Sequence, residues 1–83
     1  MITEFQETLT SIRSSDPEVN AAAILANRYT EMYNTGDLTP EQLIQILQHV
    51  QCQAAIYQQS AELESMEKLN IAINSIIIAI TSQ

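Results

Sequence analysis

Asn34-Thr35-Gly36-Asp37-Leu38-Thr39-Pro40-Glu41-Gln42-Leu43 decides the fold, because it stops one helix and starts another within one short stretch. Gly36 is the chain's single glycine and can take the left-handed conformation that closes a helix. Thr39, Pro40 and Gln42 then supply an N-cap, a first helical residue that needs no N–H, and the reciprocal partner of a capping box. With so short a connection, the flanking helices should lie antiparallel as a hairpin.

Upstream, Ser14-Ser15-Asp16-Pro17 is a second start signal, with Asp16 able to accept from free backbone amides and Pro17 at the first position. Val19, Ala22, Ala23, Ala26, Tyr29 and Tyr33 follow as one helical stripe, widened by Ile24, Leu25 and Met32. The spacing predicts a helix over about 17–34. Before it, Phe5, Leu9 and Ile12 recur at helical spacing, and Thr3 with Gln6 resembles a capping box, predicting a short helix over about 3–14.

Downstream of Pro40 neither glycine nor proline occurs again. A helix over about 40–81 would be roughly 60 Å long at 1.5 Å per residue. It would not be uniform. Leu43, Ile46, Leu47, Val50, Ala54 and Tyr57 share one stripe, while Leu63, Met66, Leu69, Ile73, Ile76, Ile77 and Ile80 share another about half a turn away. Either a straight helix offers its two halves to different neighbours, or it bends near 58–62 with Ser60 as a cap. Ile71 and Ile78 lie opposite Ile73, Ile76 and Ile80, so the last turns are apolar nearly all round and expected to be buried on every side. The expected architecture is therefore all-α: a single helical domain over 1–83, an antiparallel hairpin with a short N-terminal and a long C-terminal helix.

At 83 residues the chain has room for one modest core. Cys52 is its only cysteine, so no internal disulfide can brace it, and an unpaired thiol suits synthesis in a reducing cytosol. The formal net charge of -7 argues against a nucleic-acid or anionic-membrane partner. The carboxylates are scattered and form no regular row of the kind a DNA mimic would need. Met1 to Gln6 lacks the features of a signal peptide, and Ile71 to Ile80 is too short to insert in a membrane.

No residues announce chemistry. His49 and Cys52 would share a helix face, but no second histidine or cysteine completes a tetrahedral metal set, and a half-buried histidine beside a small apolar cysteine is the simpler reading. Neither a phosphate loop nor a nucleophile elbow is present. The expectation is no catalytic residue, no metal and no cofactor. Glu62, Glu64 and Glu67 read as a solvated face, and Tyr29, Tyr33 and Tyr57 as hairpin core with wet hydroxyls. Gln42, Gln45, Gln48 and Gln51 recur at every third residue. That polar, nearly uncharged face can pack against another subunit without burying ions.

The layout resembles the needle subunits of type III secretion systems. The resemblance rests on Leu38-Thr39-Pro40-Glu41-Gln42-Leu43-Ile44 at the hairpin turn and on Leu47-Gln48, Tyr57, Ser60, Lys68 and Ile76-Ile77-Ile78 beyond it. It covers roughly Val19 onward and is one of pattern and length. Lys68-Leu69-Asn70 departs from the family's Lys-Asp pair. It implies a filament subunit, secreted without a signal peptide, whose C-terminal helix is buried in the assembly.

Together these readings predict a non-enzymatic protein that acts by self-assembly or by packing against a protein partner, either a second copy or another helical chain. A helical chaperone or adaptor and a phage-type inhibitor or virion accessory protein are the alternatives. Leu69, Ile71, Ile73, Ile76, Ile77, Ile78 and Ile80 are the expected assembly interface. Val19, Ala22, Ala26, Tyr29, Tyr33, Leu43, Leu47, Val50, Ala54 and Tyr57 are the expected hairpin core.

Overall fold

A computed structural model describes residues 3–14, 16–57 and 63–82. The chain forms α1 (Thr3–Ser11), α2 (Pro17–Asn34), α3 (Pro40–Tyr57) and α4 (Leu63–Thr81). The all-helical expectation stands, but the expected long helix over 40–81 is two helices that pack on each other. The bend proposed near 58–62 and the Ser60 cap lie outside the described residues.

Local chemistry sets the helix ends. Asp16, only 1% exposed, accepts the Glu18 N–H at 3.0 Å and caps α2. At the other end Gly36 adopts φ 87, while the Asp37 N–H reaches Met32 O at 2.8 Å and the Gly36 N–H reaches Tyr33 O at 3.1 Å. That pair of bonds is a Schellman closure, and the positive φ is why glycine stands there. The Thr39 N–H donates to Gln42 Oε1 at 2.9 Å and the Gln42 N–H donates to Thr39 Oγ1 at 3.2 Å, completing the capping box of α3.

At α1 the side chain expected to complete such a box, Gln6, has long-range partners. Gln6 is buried and turned toward α2, where its Nε2 donates to Asn27 Oδ1 at 3.1 Å and its Oε1 accepts from Asn34 Nδ2 at 3.0 Å. α1 also stops at Ser11, short of the expected 14. Arg13 Nη1 donates to the Thr10 and Ile12 carbonyls there, and Asn20 clamps both the N–H and the C=O of Ser14.

α2 touches all three other helices, and α4 packs on α1, α2 and α3. Alanines make this central position possible: Ala22, Ala23 and Ala26 are buried and let neighbouring backbones approach closely. The core between the helices holds Leu9, Val19, Leu43, Leu47, Leu69, Ile73 and Ile76, each no more than 1% exposed. Thr30 joins them by returning its hydroxyl to Ala26 O at 2.7 Å. Every buried side-chain nitrogen or oxygen among the described residues has a hydrogen-bond partner.

The last turns of the chain are not buried on every side as expected: the chain covers one side itself, and Ile71 and Ile78 stay exposed. Because α3 and α4 are separate, α4 folds back, and its Leu69, Ile73, Ile76 and Ile80 pack into the chain's own core. The accessible surface of 5061 Å² is close to the ~5,000 Å² expected for a folded monomer of this mass. Of the expected hairpin core, Tyr57 is the exception at 56% exposed. The start of α2 (Glu18, Ala22) lies beside the latter half of α3 (Val50, Ala54), so Tyr57, the last residue of α3, stands at the end of that packed pair.

Ile73→Ala should cost about 2–5 kcal/mol in urea unfolding, the range for truncating a buried aliphatic side chain. Ile78→Ala, at an exposed position, should stay within about 0.5 kcal/mol of the parent. Gly36→Ala should cost about 1 kcal/mol, because alanine must take the left-handed conformation.

Candidate functional site

Turning at 100° per residue, α4 places Ile71 and Ile78 diametrically opposite Leu69, Ile73, Ile76 and Ile80. Once the inner face is buried, the outer face must be solvated, and Ile71 and Ile78 are 60% and 65% exposed. Seven residues separate them, so they stand roughly 10 Å apart on one side of the helix. Ile77 is half-buried at the edge of the core. Of the seven residues expected to form an assembly interface, only Ile71, Ile77 and Ile78 therefore remain available without unfolding α4.

Beside this face runs α3. Gln51 Nε2 donates across to Asn74 Oδ1 at 2.9 Å and, more weakly, to Asn70 Oδ1 at 3.5 Å. One turn to either side of Gln51, Gln48 and Ala55 are exposed. The glutamine periodicity thus divides into separate jobs: Gln42 caps, Gln51 stitches α3 to α4, and Gln45 and Gln48 face solvent.

Charge divides the surface more sharply than apolar exposure does. From Gln42 to Ala61, and again from Leu69 to Gln83, there is no Asp, Glu, Lys or Arg. These segments supply nearly all of α3 and the last two-thirds of α4. The acidic residues sit elsewhere: Glu4 and Glu7 on α1, Glu18 and Glu31 on α2, Asp37 and Glu41 at the turn, and Glu64 and Glu67 at the head of α4. Lys68 is held in an exposed pair with Glu64 at 3.5 Å, of little consequence for stability. The α3/α4 flank is thus an uncharged surface, studded with isoleucine and amides, on a molecule of net charge -7.

Other places offer less. An open cleft of about 470 Å³ between α1 and α2 is floored by Leu9, Ile12 and Ala23. Its polar wall, Arg13 and Asn20, is already tied to backbone at the end of α1 and the start of α2. His49 and Cys52 are both exposed on α3, which corrects the reading of a half-buried histidine beside an apolar cysteine: they lie on the side away from the core stripe of Leu43, Leu47, Val50 and Ala54. Among the described residues no group of three or more His, Cys, Asp or Glu gathers where it could hold a metal ion. None of the described helices is long and apolar enough to cross a membrane.

No protein-family model matches the chain, and neither a curated protein nor a solved structure is similar to it.

The residue that pattern reading missed is Gln6, which periodicity placed at a helix start rather than between α1 and α2. Gln6→Ala should lower stability by about 1–3 kcal/mol, because the Asn27 and Asn34 amides lose their partner in a half-buried seam. Gln48→Ala, at an exposed glutamine, should leave the unfolding midpoint essentially unchanged.

Proposed function

We propose that this chain is a non-catalytic binding protein that engages a protein partner through the uncharged α3/α4 flank. One observation carries the reading: Ile71 and Ile78 are held in solvent by a fully packed inner face, on segments of α3 and α4 that carry no Asp, Glu, Lys or Arg from Gln42 to Tyr57 and from Leu69 to Thr81. Charged residues are depleted from the centres of protein interfaces, because burying an unpaired charge is costly and burying an amide or an isoleucine is not. Glu41 at one end of the flank and Glu64, Glu67 and Lys68 at the other supply the charged margin of such an interface.

This reading favours an adaptor-like or inhibitor-like module that binds as a folded unit. The filament-subunit reading keeps the support of the Leu38–Ile44 turn, but it needs α4 to leave the bundle. Its Leu69, Ile73, Ile76 and Ile80 would have to exchange their own chain's core for a neighbour's. The folded-unit reading needs no such exchange.

A photo-crosslinking residue introduced at position 78, in the cells that make this protein, should yield covalent protein adducts, and the same residue at position 7 on α1 should not. Equal labelling from both positions, or none from either, would contradict an interface on this flank.

A further inference from the structure

We infer that the occupant of the uncharged flank is a second copy of this chain, docked with the two α4 helices antiparallel across a two-fold axis. The inference rests on the binding reading above and names its partner.

The first argument is electrostatic. Two molecules of net charge -7 repel wherever they bring carboxylates together, and α1, α2, the α2–α3 turn and the head of α4 all carry them. The α3/α4 flank is the broad surface on which two copies can meet without opposing charges.

The second argument is self-complementarity. A two-fold contact sets a patch against itself, so each group must tolerate its own kind. Carboxylates and ammonium groups fail that requirement. Amides meet it, because each carries both donor and acceptor, and aliphatic side chains meet it by burial. Gln48, Asn74, Ile71 and Ile78 are groups of this kind, all exposed on the flank.

The third argument sets the direction. Antiparallel packing brings Ile71 against Ile78 of the partner subunit and repeats the same contact on the other side of the axis. It opposes the two helix dipoles. It also keeps the Glu64 and Glu67 turns of the two copies apart by about the length of α4, roughly 28 Å at 1.5 Å per residue. Parallel packing would bring those four carboxylates together.

Sedimentation equilibrium of the purified full chain over a concentration series tests this. A monomer–dimer equilibrium is expected, tightening as salt is raised and the repulsion between like-charged bodies is screened. Ile71→Glu and Ile78→Glu should each weaken it by about a hundredfold or more, since the symmetry buries every introduced charge twice. Both positions are exposed, so helicity by circular dichroism should be unchanged. In a Cys52→Ser background, Ile71→Cys mixed with Ile78→Cys should oxidise to the mixed disulfide in preference to either like pair, as antiparallel register requires. A chain that stays monomeric throughout, a dimer indifferent to both glutamates, or a preference for like-pair disulfides would overturn the inference. If the monomeric chain still crosslinks another protein from position 78, the second copy is wrong and the binding flank survives. If it crosslinks nothing, both are wrong.

Discussion

Burial of the inner face of α4 is the constraint on which the rest of the molecule depends. Leu69, Ile73, Ile76 and Ile80 are the most apolar stripe in the chain, and α1, α2 and α3 are arranged so that each covers part of it. A short chain without a disulfide has few other sources of stability. The alanine face of α2 follows from the same need, since small side chains let α2 sit close to all three neighbours. So do the ties that hold α1 in place: Gln6 to Asn27 and Asn34, and the buried Ser65 hydroxyl donating to Arg13 O at 3.4 Å across the start of α4. A nine-residue helix is too short to persist alone in water, and these contacts are what make it part of the fold.

Once that face is covered, the proposed binding role rests on what is left outside. Covering one side of a helix that is apolar nearly all round leaves Ile71 and Ile78 in water. The segments around them carry amides instead of charges, although the chain has ten acidic residues to place. Exposed isoleucine on a fully charged surface would be unremarkable. Set in an uncharged flank bordered by carboxylates, it has the chemical layout of an interface, and amides and aliphatics are the groups that can face their own copies.

The helix boundaries at Asp16-Pro17, Gly36 and Thr39-Pro40 were legible in the sequence because each depends on hydrogen bonds within a few residues. So was the burial of Val19, Ala22, Ala26, Leu43, Leu47, Val50 and Ala54, because periodicity records which side of a helix is covered. The division between α3 and α4 was harder to see. No glycine or proline separates Tyr57 from Leu63, so the local signal was weak: Ser60 as a candidate cap and the offset of two apolar stripes pointed to a bend but left a single straight helix equally open. That one tertiary fact reverses the reading of Leu69, Ile73, Ile76 and Ile80 from assembly surface to core. It also leaves Tyr57 outside, at the end of α3. Gln6 was illegible for a related reason: its partners are more than twenty residues away on another helix.

Amide hydrogen exchange on the chain at decreasing concentration addresses the central claim most directly, because it asks which chain covers α4. If the inner face of α4 is held by its own molecule, the amides from Leu69 to Ile80 exchange as slowly as those of Leu43 to Val50, and dilution leaves them protected. If protection of Leu69 to Ile80 vanishes on dilution while α2 and α3 keep theirs, α4 is held by other copies, and the folded unit described here is not the form in which the protein exists.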